Sequence, residues 1–184
     1  MTRRAPHIPQ RRRIFLGCEG QSELGYGTLL ARIVRELPDV HIHIDARVLQ
    51  PGAGDPFALV TRAAQVIAND EERREPYAIR AVLLDMGAVQ INATAATAAT
   101  RHGIQHIIWQ SPDHEALLLR HLPGCQQRRP PRGASLAALR REWADYEKGR
   151  SAQQLATRIT LDGIRQACAV EADLRVFLTA IGIL

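Results

Sequence analysis

The chain has 184 residues, of which 46% are hydrophobic and only 4% aromatic, so one domain with an aliphatic core and at most a small appendage is expected. No apolar run reaches the ~18 residues that a membrane span needs, and three widely separated cysteines argue against a disulfide framework or a zinc site. The arginine-rich start lacks a signal-type apolar segment, which favours a cytoplasmic protein. Of the 24 basic residues only Lys148 is a lysine, and this exception makes it a candidate functional residue.

The net charge of +5 is unevenly distributed along the chain. Residues 1–13 and 120–150 are basic, whereas residues 14–119 carry more acids than bases. Clustered arginines are typical of nucleic-acid-binding surfaces, so we predict nucleic acid as a partner. The alternative is that both basic segments are solvated surface. The arginines assigned to nucleic-acid binding are Arg11, Arg12, Arg13, Arg128, Arg129 and Arg132.

The first predicted strand and the turn after it are the most informative local feature. Residues 14–18 are apolar and lead directly into Glu19. Gly20 permits a tight turn, Ser22 is a candidate helix cap, and Glu23 suits a first helical turn. A carboxylate at the carboxyl end of a parallel strand lies where α/β folds bind their ligands. The alternative is an ordinary turn with a solvated acid.

Strand and helix patterns then alternate as far as residue 122. Further strands are predicted at 40–49, 79–84 and 104–109, and helices at 22–37, 57–69, 88–102 and 113–122. Turn-forming residues predict a loop at 51–56. The alternation predicts an α/β domain over residues 14–122, with a central, mostly parallel four-stranded sheet flanked by helices.

Three further segments complete the predicted organisation. Residues 1–13 form a basic amino-terminal arm, residues 123–133 a basic flexible loop, and residues 134–184 a helical C-terminal extension. Within that extension we predict a helix over 135–147 and helical structure from 152 onward, with breaks near Gly163 and Asp173. The apolar end at 176–184 would dock on a partner or form a core helix.

Acids follow three of the predicted strands. They are Glu19 and Glu23, Asp85, and Asp113 with Glu115. Because the carboxyl ends of parallel strands share one edge, these carboxylates are expected to converge, and they would repel one another without a cation. Oxygen ligands suit Mg²⁺ or Mn²⁺, which could hold a phosphodiester and activate water. The alternative is that each acid only caps a helix.

Four short segments within residues 14–148 form an ordered series of motifs. They are Cys18-Glu19-Gly20-Gln21-Ser22-Glu23, Asp85 after Val82-Leu83-Leu84, Ser111-Pro112-Asp113-His114-Glu115 before a leucine-rich helix, and Tyr146-Glu147-Lys148. In this order they resemble motifs of Toprim-fold proteins of the RloB-like and OLD (overcoming lysogenization defect) type. The corresponding family patterns are Glu-Gly-x-Thr/Ser-Glu, Asp-x-Asp, Ser-Asn-Pro before Phe-Glu, and Tyr-x-Lys.

The resemblance implies a Toprim-like fold and a metal-dependent nuclease of a bacterial anti-phage defence or restriction-type system. It also implies an ATPase partner, and the chain could form a homo-oligomer. Glu19 and Lys148 would be the catalytic residues, with Mg²⁺ or Mn²⁺ as cofactor. Metal ligands would be Glu19, Asp85, Glu115 and Asp113, and supporting residues would be Glu23, Ser111 and Tyr146.

The chain departs from the family pattern at the second motif. Here Asp85-Met86-Gly87 replaces Asp-x-Asp, so the second aspartate is absent. One carboxylate fewer should weaken metal binding, although Asp113 or Glu115 could substitute. The alternative function is therefore a catalytically degenerate Toprim-like subunit that binds nucleic acid or a partner protein without cleaving.

Overall fold

The computed structural model describes residues 11–49 and 54–184, which excludes most of the predicted basic arm, residue 50 and residues 51–53 of the predicted loop. Within these ranges the chain forms four strands and eight helices. The strands are β1 (Arg12–Cys18), β2 (Ile42–Val48), β3 (Ile79–Asp85) and β4 (His106–Gln110). The helices are α1 (Gln21–Glu36), α2 (Pro56–Glu71), α3 (Val89–Arg101), α4 (His114–Arg120), α5 (Ser135–Glu142), α6 (Ala152–Leu155), α7 (Leu161–Ala167) and α8 (Ala172–Ala180).

All four strands are parallel and are arranged in the order β2-β1-β3-β4. This arrangement confirms the predicted α/β class with a four-stranded sheet flanked by helices. The central strands β1 and β3 are apolar on both faces, as expected for strands covered by helices on either side. Cys18 pairs with Leu83, and Asp85 pairs with Gln110, so the carboxyl ends of β1, β3 and β4 lie side by side.

Successive residues of the central strands point to opposite faces of the sheet and build two core layers. In β1, Leu16 belongs to the larger layer and Phe15 to the smaller one. The smaller layer is closed by α2 and α3, for example by Leu59 and Ala95. Helix α1 and the C-terminal helices cover the other face through Leu29, Leu118, Leu139, Leu155, Ile164 and Phe177.

The C-terminal region is helical, as predicted, but its helix ends differ from the prediction. The helix expected over 135–147 ends at Glu142, because Trp143 leaves the helical conformation. The predicted breaks near Gly163 and Asp173 are present at 156–160 and 168–171, just before these residues, which themselves lie in first helical turns. Thr160 caps α7 by accepting a hydrogen bond from the Gly163 N–H at 3.1 Å. Small and acidic residues occur in first turns as well as in breaks, so composition alone misplaces the boundary.

The apolar carboxyl-terminal end contributes mainly to the core. Phe177, Leu178 and Ile181 are buried, whereas Val176 and Leu184 are exposed. The three cysteines are also buried and form no disulfide. In the part of the chain that the structure describes, no helix is long and apolar enough to cross a membrane.

Candidate active site

Acidic side chains from three strand ends line one open pocket at the carboxyl edge of the sheet. Glu19 and Glu23 come from the end of β1 and the start of α1, Asp85 ends β3, and Glu115 lies in α4 after β4. Lys148, from the segment between α5 and α6, lies on the same pocket. The pocket has a volume of about 460 Å³. The structure therefore brings together four of the predicted acids and the single lysine.

Backbone hydrogen bonds fix the acids that follow β1. The N–H of Asp85 donates to Glu19 Oε2 at 3.1 Å, and the N–H of Gly20 donates to Glu23 Oε2 at 3.0 Å. The helix cap is Gly20 and not Ser22, which lies one residue inside α1. The expectation that Ser22 caps this helix is therefore wrong. The Glu23 carboxylate accepts a hydrogen bond from the Gly20 N–H, so this donor at the helix start is satisfied without a serine cap.

The pocket concentrates negative charge around Asp85. Burial and the neighbouring carboxylates, led by Glu23 and Glu19, raise the pKa of Asp85 to about 8. Burial also raises the pKa values of Glu19 and Glu23. The Oδ1 atom of Asp85 is buried and has no hydrogen-bond partner among the described residues. A proton or a metal cation bound here would relieve both the repulsion and the missing contact.

Lys148 is held at the pocket by contacts between its own segment and α1. Its Nζ lies 3.1 Å from Glu115 Oε1, and its side chain is 61% exposed while that of Glu115 is 5% exposed. The next residue, Gly149, donates its N–H to Ser22 Oγ at 3.0 Å. A Cβ at Gly25 would lie only 2.0 Å from the carbonyl oxygen of Arg150, so the glycine permits this close approach.

Sequence reasoning missed the positioning roles of Ser22 and Gly25. The available signal was the pair of glycines, Gly25 and Gly27, inside a predicted amphipathic helix. A glycine there costs about 1 kcal/mol relative to alanine, so it points to a close approach. The sequence does not say which segment approaches, because that segment lies more than a hundred residues away along the chain.

His114 is a further pocket residue that the predicted site did not include. It is 2% exposed, its Nδ1 contacts the side-chain amide of Gln110, and it lies 3.9 Å from Glu23 Oε1. Burial lowers the pKa of His114 to about 4, so the imidazole is neutral at neutral pH. In the sequence, the feature that could have identified His114 as a site residue is its position between Asp113 and Glu115, shortly after a predicted strand.

Three other predicted site residues lie outside the pocket lining and have structural contacts. Asp113 caps α4, with its Oδ1 accepting a hydrogen bond from the Ala116 N–H at 3.1 Å. The Ser111 carbonyl accepts a hydrogen bond from Arg120 Nη2 at 2.8 Å. Tyr146 is buried, and burial together with the nearby Glu115 raises its pKa. These residues support the elements around the pocket.

The two groups of predicted nucleic-acid-binding arginines lie in different places. Arg11, Arg12 and Arg13 are at the start of β1, on the opposite edge of the sheet from the pocket. Arg13 pairs with Asp70, and its guanidinium lies 4.1 Å from the centre of the Tyr77 ring.

The second group is nearer to the acids. Arg132 donates a hydrogen bond to the carbonyl of Met86, the residue after Asp85. Arg128 pairs with Glu142, and Arg129 donates to the Gln126 carbonyl at 2.8 Å.

The donor chemistry of the pocket fits Mg²⁺ or Mn²⁺, since it offers carboxylate oxygens and an unpartnered Asp85 Oδ1. Within residues 11–49 and 54–184, no group of three or more His, Cys, Asp or Glu side chains is arranged so that it could hold a metal ion. Gly87, which stands at the position of the missing aspartate, is tied to α3. Its N–H donates to Asn92 Oδ1 at 2.9 Å, and Asn92 Nδ2 donates to its carbonyl at 3.1 Å.

Comparisons of the chain with protein-family models, with curated proteins and with solved structures give no match. The Toprim-like assignment therefore stays a prediction from the four sequence motifs.

Proposed function

We propose that this pocket is the active site of a Mg²⁺- or Mn²⁺-dependent nuclease that hydrolyses phosphodiester bonds. The observation that carries the proposal is that Glu19, Glu23, Asp85 and Glu115 line one pocket, in which Oδ1 of Asp85 has no hydrogen-bond partner among the described residues. Such a cluster is unfavourable when empty and becomes favourable when a cation joins it. A cation and the adjacent ammonium group of Lys148 would together offset the charge of a phosphodiester, which is the substrate class proposed here.

The metal would be held by Glu19, Asp85 and Glu115 once their side chains turn toward it, because these three are not arranged as a ligand set in the described structure. Asp113 would remain the cap of α4. When bound, the metal would neutralise phosphate charge and favour deprotonation of the attacking water. The donors are hard oxygens, which is the reason for preferring Mg²⁺ and Mn²⁺ over softer metals.

The residues of the chain would then perform the proton transfer and the positioning. The water oxygen forms a bond to phosphorus, and the bond from phosphorus to the leaving sugar oxygen breaks. Glu19 takes the water proton, a role helped by the raised pKa that burial gives its carboxyl group. Lys148 is exposed enough to contact the phosphate and offset its developing charge. The leaving oxygen takes a proton from solvent.

Cleavage of labelled DNA and RNA by the purified chain tests this function directly. Wild-type protein is expected to cut at least one of them with Mg²⁺ or Mn²⁺ and to stop when EDTA is added. Glu19→Gln and Asp85→Asn are expected to lose at least about a hundredfold in rate. Equal cleavage by Glu19→Gln would show that the activity belongs to a contaminant, and the proposal would then fail.

A second candidate function is a non-catalytic subunit that binds nucleic acid or a partner protein. The observation that favours it is Gly87, which stands where the family pattern has a second aspartate. Gly87 is hydrogen-bonded to Asn92 and offers no carboxylate to the pocket. Under this alternative, Asp85→Asn would leave nucleic-acid or partner binding unchanged and no metal would bind. Isothermal titration with MnCl₂ separates the two functions, because only the nuclease requires metal uptake.

The resemblance to RloB-like proteins supports two further parts of the proposal, a role in anti-phage defence or restriction and an ATPase partner. Action in the cytoplasm is supported instead by the three free cysteines. Affinity purification from a cell that carries the neighbouring genes is expected to recover an ATPase. Cleavage assays with and without that ATPase then show whether it is required. A homo-oligomer would appear in the same preparation by light scattering.

A further inference from the structure

A second concave surface, called the arginine cleft here, lies between the segment after α4 and helix α5. Three arginines line it, Arg128, Arg129 and Arg141, together with two prolines and three alanines. No acidic or aromatic residue is among the described residues that line it. The cleft has a volume of about 340 Å³, which is enough for a phosphate group and part of the attached sugar.

The positive charge of the arginine cleft is only partly neutralised. The side chain of Arg141 is exposed and has no hydrogen bond or ion pair within the described ranges. Arg129 donates only to backbone carbonyls, those of Gln126 and Arg128. Arg128 pairs with Glu142, and both of these side chains are more than a third exposed. The cleft therefore presents more guanidinium groups than carboxylates.

The start of α5 adds a second set of hydrogen-bond donors. Its N-cap is Ala134, which lines the cleft and offers no side-chain acceptor to the first-turn N–H groups. Helix starts with free N–H groups favour phosphate oxygens, and arginines beside them strengthen that preference.

A contact of Arg132 connects the segment that forms the arginine cleft to the chain that follows β3. Arg132, the residue after Pro131 of the cleft, donates a hydrogen bond to the Met86 carbonyl. Met86 follows Asp85 of the pocket directly. The segment whose residues 128–131 form one wall of the cleft thus contacts, through Arg132, the residue that follows Asp85.

We propose that the arginine cleft binds the phosphodiester backbone of a nucleic-acid strand whose neighbouring part lies in the acidic pocket. The link between cleft and pocket rests on the proposed nuclease function. The cleft offers guanidinium groups and no stacking platform, so binding should be independent of base sequence. Arg11, Arg12 and Arg13, on the other edge of the sheet, make no contribution to it.

Binding is tested without metal, so that it does not depend on cleavage. Fluorescence anisotropy is recorded in EDTA with a labelled single-stranded oligonucleotide of about 12 nucleotides, within the usual range of such sites. The test variant is Arg129→Gln/Arg141→Gln. The matched control is Arg62→Gln/Arg101→Gln, which removes the same charge from exposed positions on α2 and α3.

The test variant is expected to bind at least about tenfold more weakly than the control. Its slope of log affinity against log salt should be shallower by about 0.7 for each lost phosphate contact. Glu142→Gln should bind more tightly than wild type, because it frees Arg128. Arg11→Gln/Arg12→Gln should behave like the control.

Three results would overturn the proposal. The first is equal affinity and slope in the test and control variants, and the second is a loss confined to Arg11→Gln/Arg12→Gln. The third is displacement of the oligonucleotide by inorganic phosphate with no dependence on oligonucleotide length, which would show a single-anion site. Loss of metal-dependent cleavage with intact cleft binding would refute the nuclease proposal alone. Metal-dependent cleavage without cleft binding would refute the cleft alone.

Discussion

The backbone N–H of Asp85 donates a hydrogen bond to Glu19 Oε2 at 3.1 Å, so the ends of the two central strands are joined at the pocket. The bond fixes one carboxylate against the backbone of the other acid. Glu19 therefore stays in the pocket although burial raises its pKa and favours its neutral form. The hydrogen bond thus positions the Glu19 carboxylate beside the backbone of Asp85 at the carboxyl edge of the sheet.

Removing the charge of Asp85 should stabilise the metal-free protein and abolish its response to metal. Asp85→Asn is expected to raise the free energy of unfolding by about 1–3 kcal/mol, because the cost of burying an ionisable carboxyl group and its repulsion with Glu23 and Glu19 are both removed. Thermal unfolding with and without MnCl₂ measures both effects. Asp113→Asn is the control, since it weakens only the α4 cap and should keep the metal-dependent shift. A metal-dependent shift in Asp85→Asn would contradict the assignment of Asp85 as a ligand.

Adding a methyl group at Gly25 should displace the segment that carries Lys148. The new Cβ would lie 2.0 Å from the Arg150 carbonyl oxygen, and a backbone atom cannot move away without shifting the whole segment. We expect Gly25→Ala to reduce cleavage at least about tenfold while metal binding, measured by calorimetry, is retained.

Gly27→Ala is the matched control on the same helix. Its Cβ would meet side chains of β1 and β2 at 3.1–3.2 Å, which affects stability but not the Lys148 segment. Ser22→Ala, which removes the acceptor of the Gly149 N–H, should give a milder loss than Gly25→Ala. Equal cleavage rates for Gly25→Ala and Gly27→Ala would show that cleavage does not depend on the position of the segment that carries Lys148.

The buried pair formed by Arg120 and Glu171 should be among the costliest contacts to break. The Arg120 side chain is 1% exposed and the Glu171 side chain 10% exposed, and the pair joins α4 to the residue that caps α8. Glu171→Gln leaves a buried guanidinium without its counter-ion and should cost about 3–5 kcal/mol in urea unfolding. Asp162→Asn, which breaks an exposed pair on α7, should cost less than about 1 kcal/mol. Similar losses of unfolding free energy in Glu171→Gln and Asp162→Asn would contradict the large contribution expected from the buried pair.

Acid should destabilise the protein through His121. Its Nε2 lies 2.9 Å from the Tyr26 hydroxyl, its Nδ1 lies 2.8 Å from the Leu117 carbonyl, and burial lowers its pKa to about 4. An unfolded histidine has a pKa near 6.5, so the stabilisation is fully present above about pH 6.5 and is lost as pH falls toward 4. The loss amounts to about 3 kcal/mol.

His121→Gln is the variant that tests this pH dependence. The difference in free energy of unfolding between pH 7 and pH 4.5 should be smaller in this variant than in wild type. The exposed His102→Gln should keep the wild-type difference. An unchanged pH dependence in His121→Gln would exclude His121 as the group responsible.

The parallel sheet and the clustering of acids at its strand ends could both be predicted from the sequence, for the same physical reason. Parallel strands place their carboxyl ends on a common edge, so Glu19, Asp85 and Glu115 could be brought together from local patterns alone. The position of Lys148 depends on contacts between α1 and residues more than a hundred positions away, which no local pattern encodes. Its identification rested on the motif resemblance and on its being the only lysine. Asp113 and Ser111 are polar residues at a strand end, like those that line the pocket. Asp113 instead caps α4, and the Ser111 carbonyl accepts a hydrogen bond from Arg120.

The contact between Gly25 and the Arg150 carbonyl also gives a criterion for recognising distant relatives. A chain that keeps this geometry must place a glycine six residues after the strand-end acid, on the face of its first helix that meets the returning segment. It must also carry a basic residue shortly before the segment reaches that helix. This combination, searched as a spaced pattern across otherwise dissimilar sequences, would select proteins in which the two parts of the site are held together in the same way.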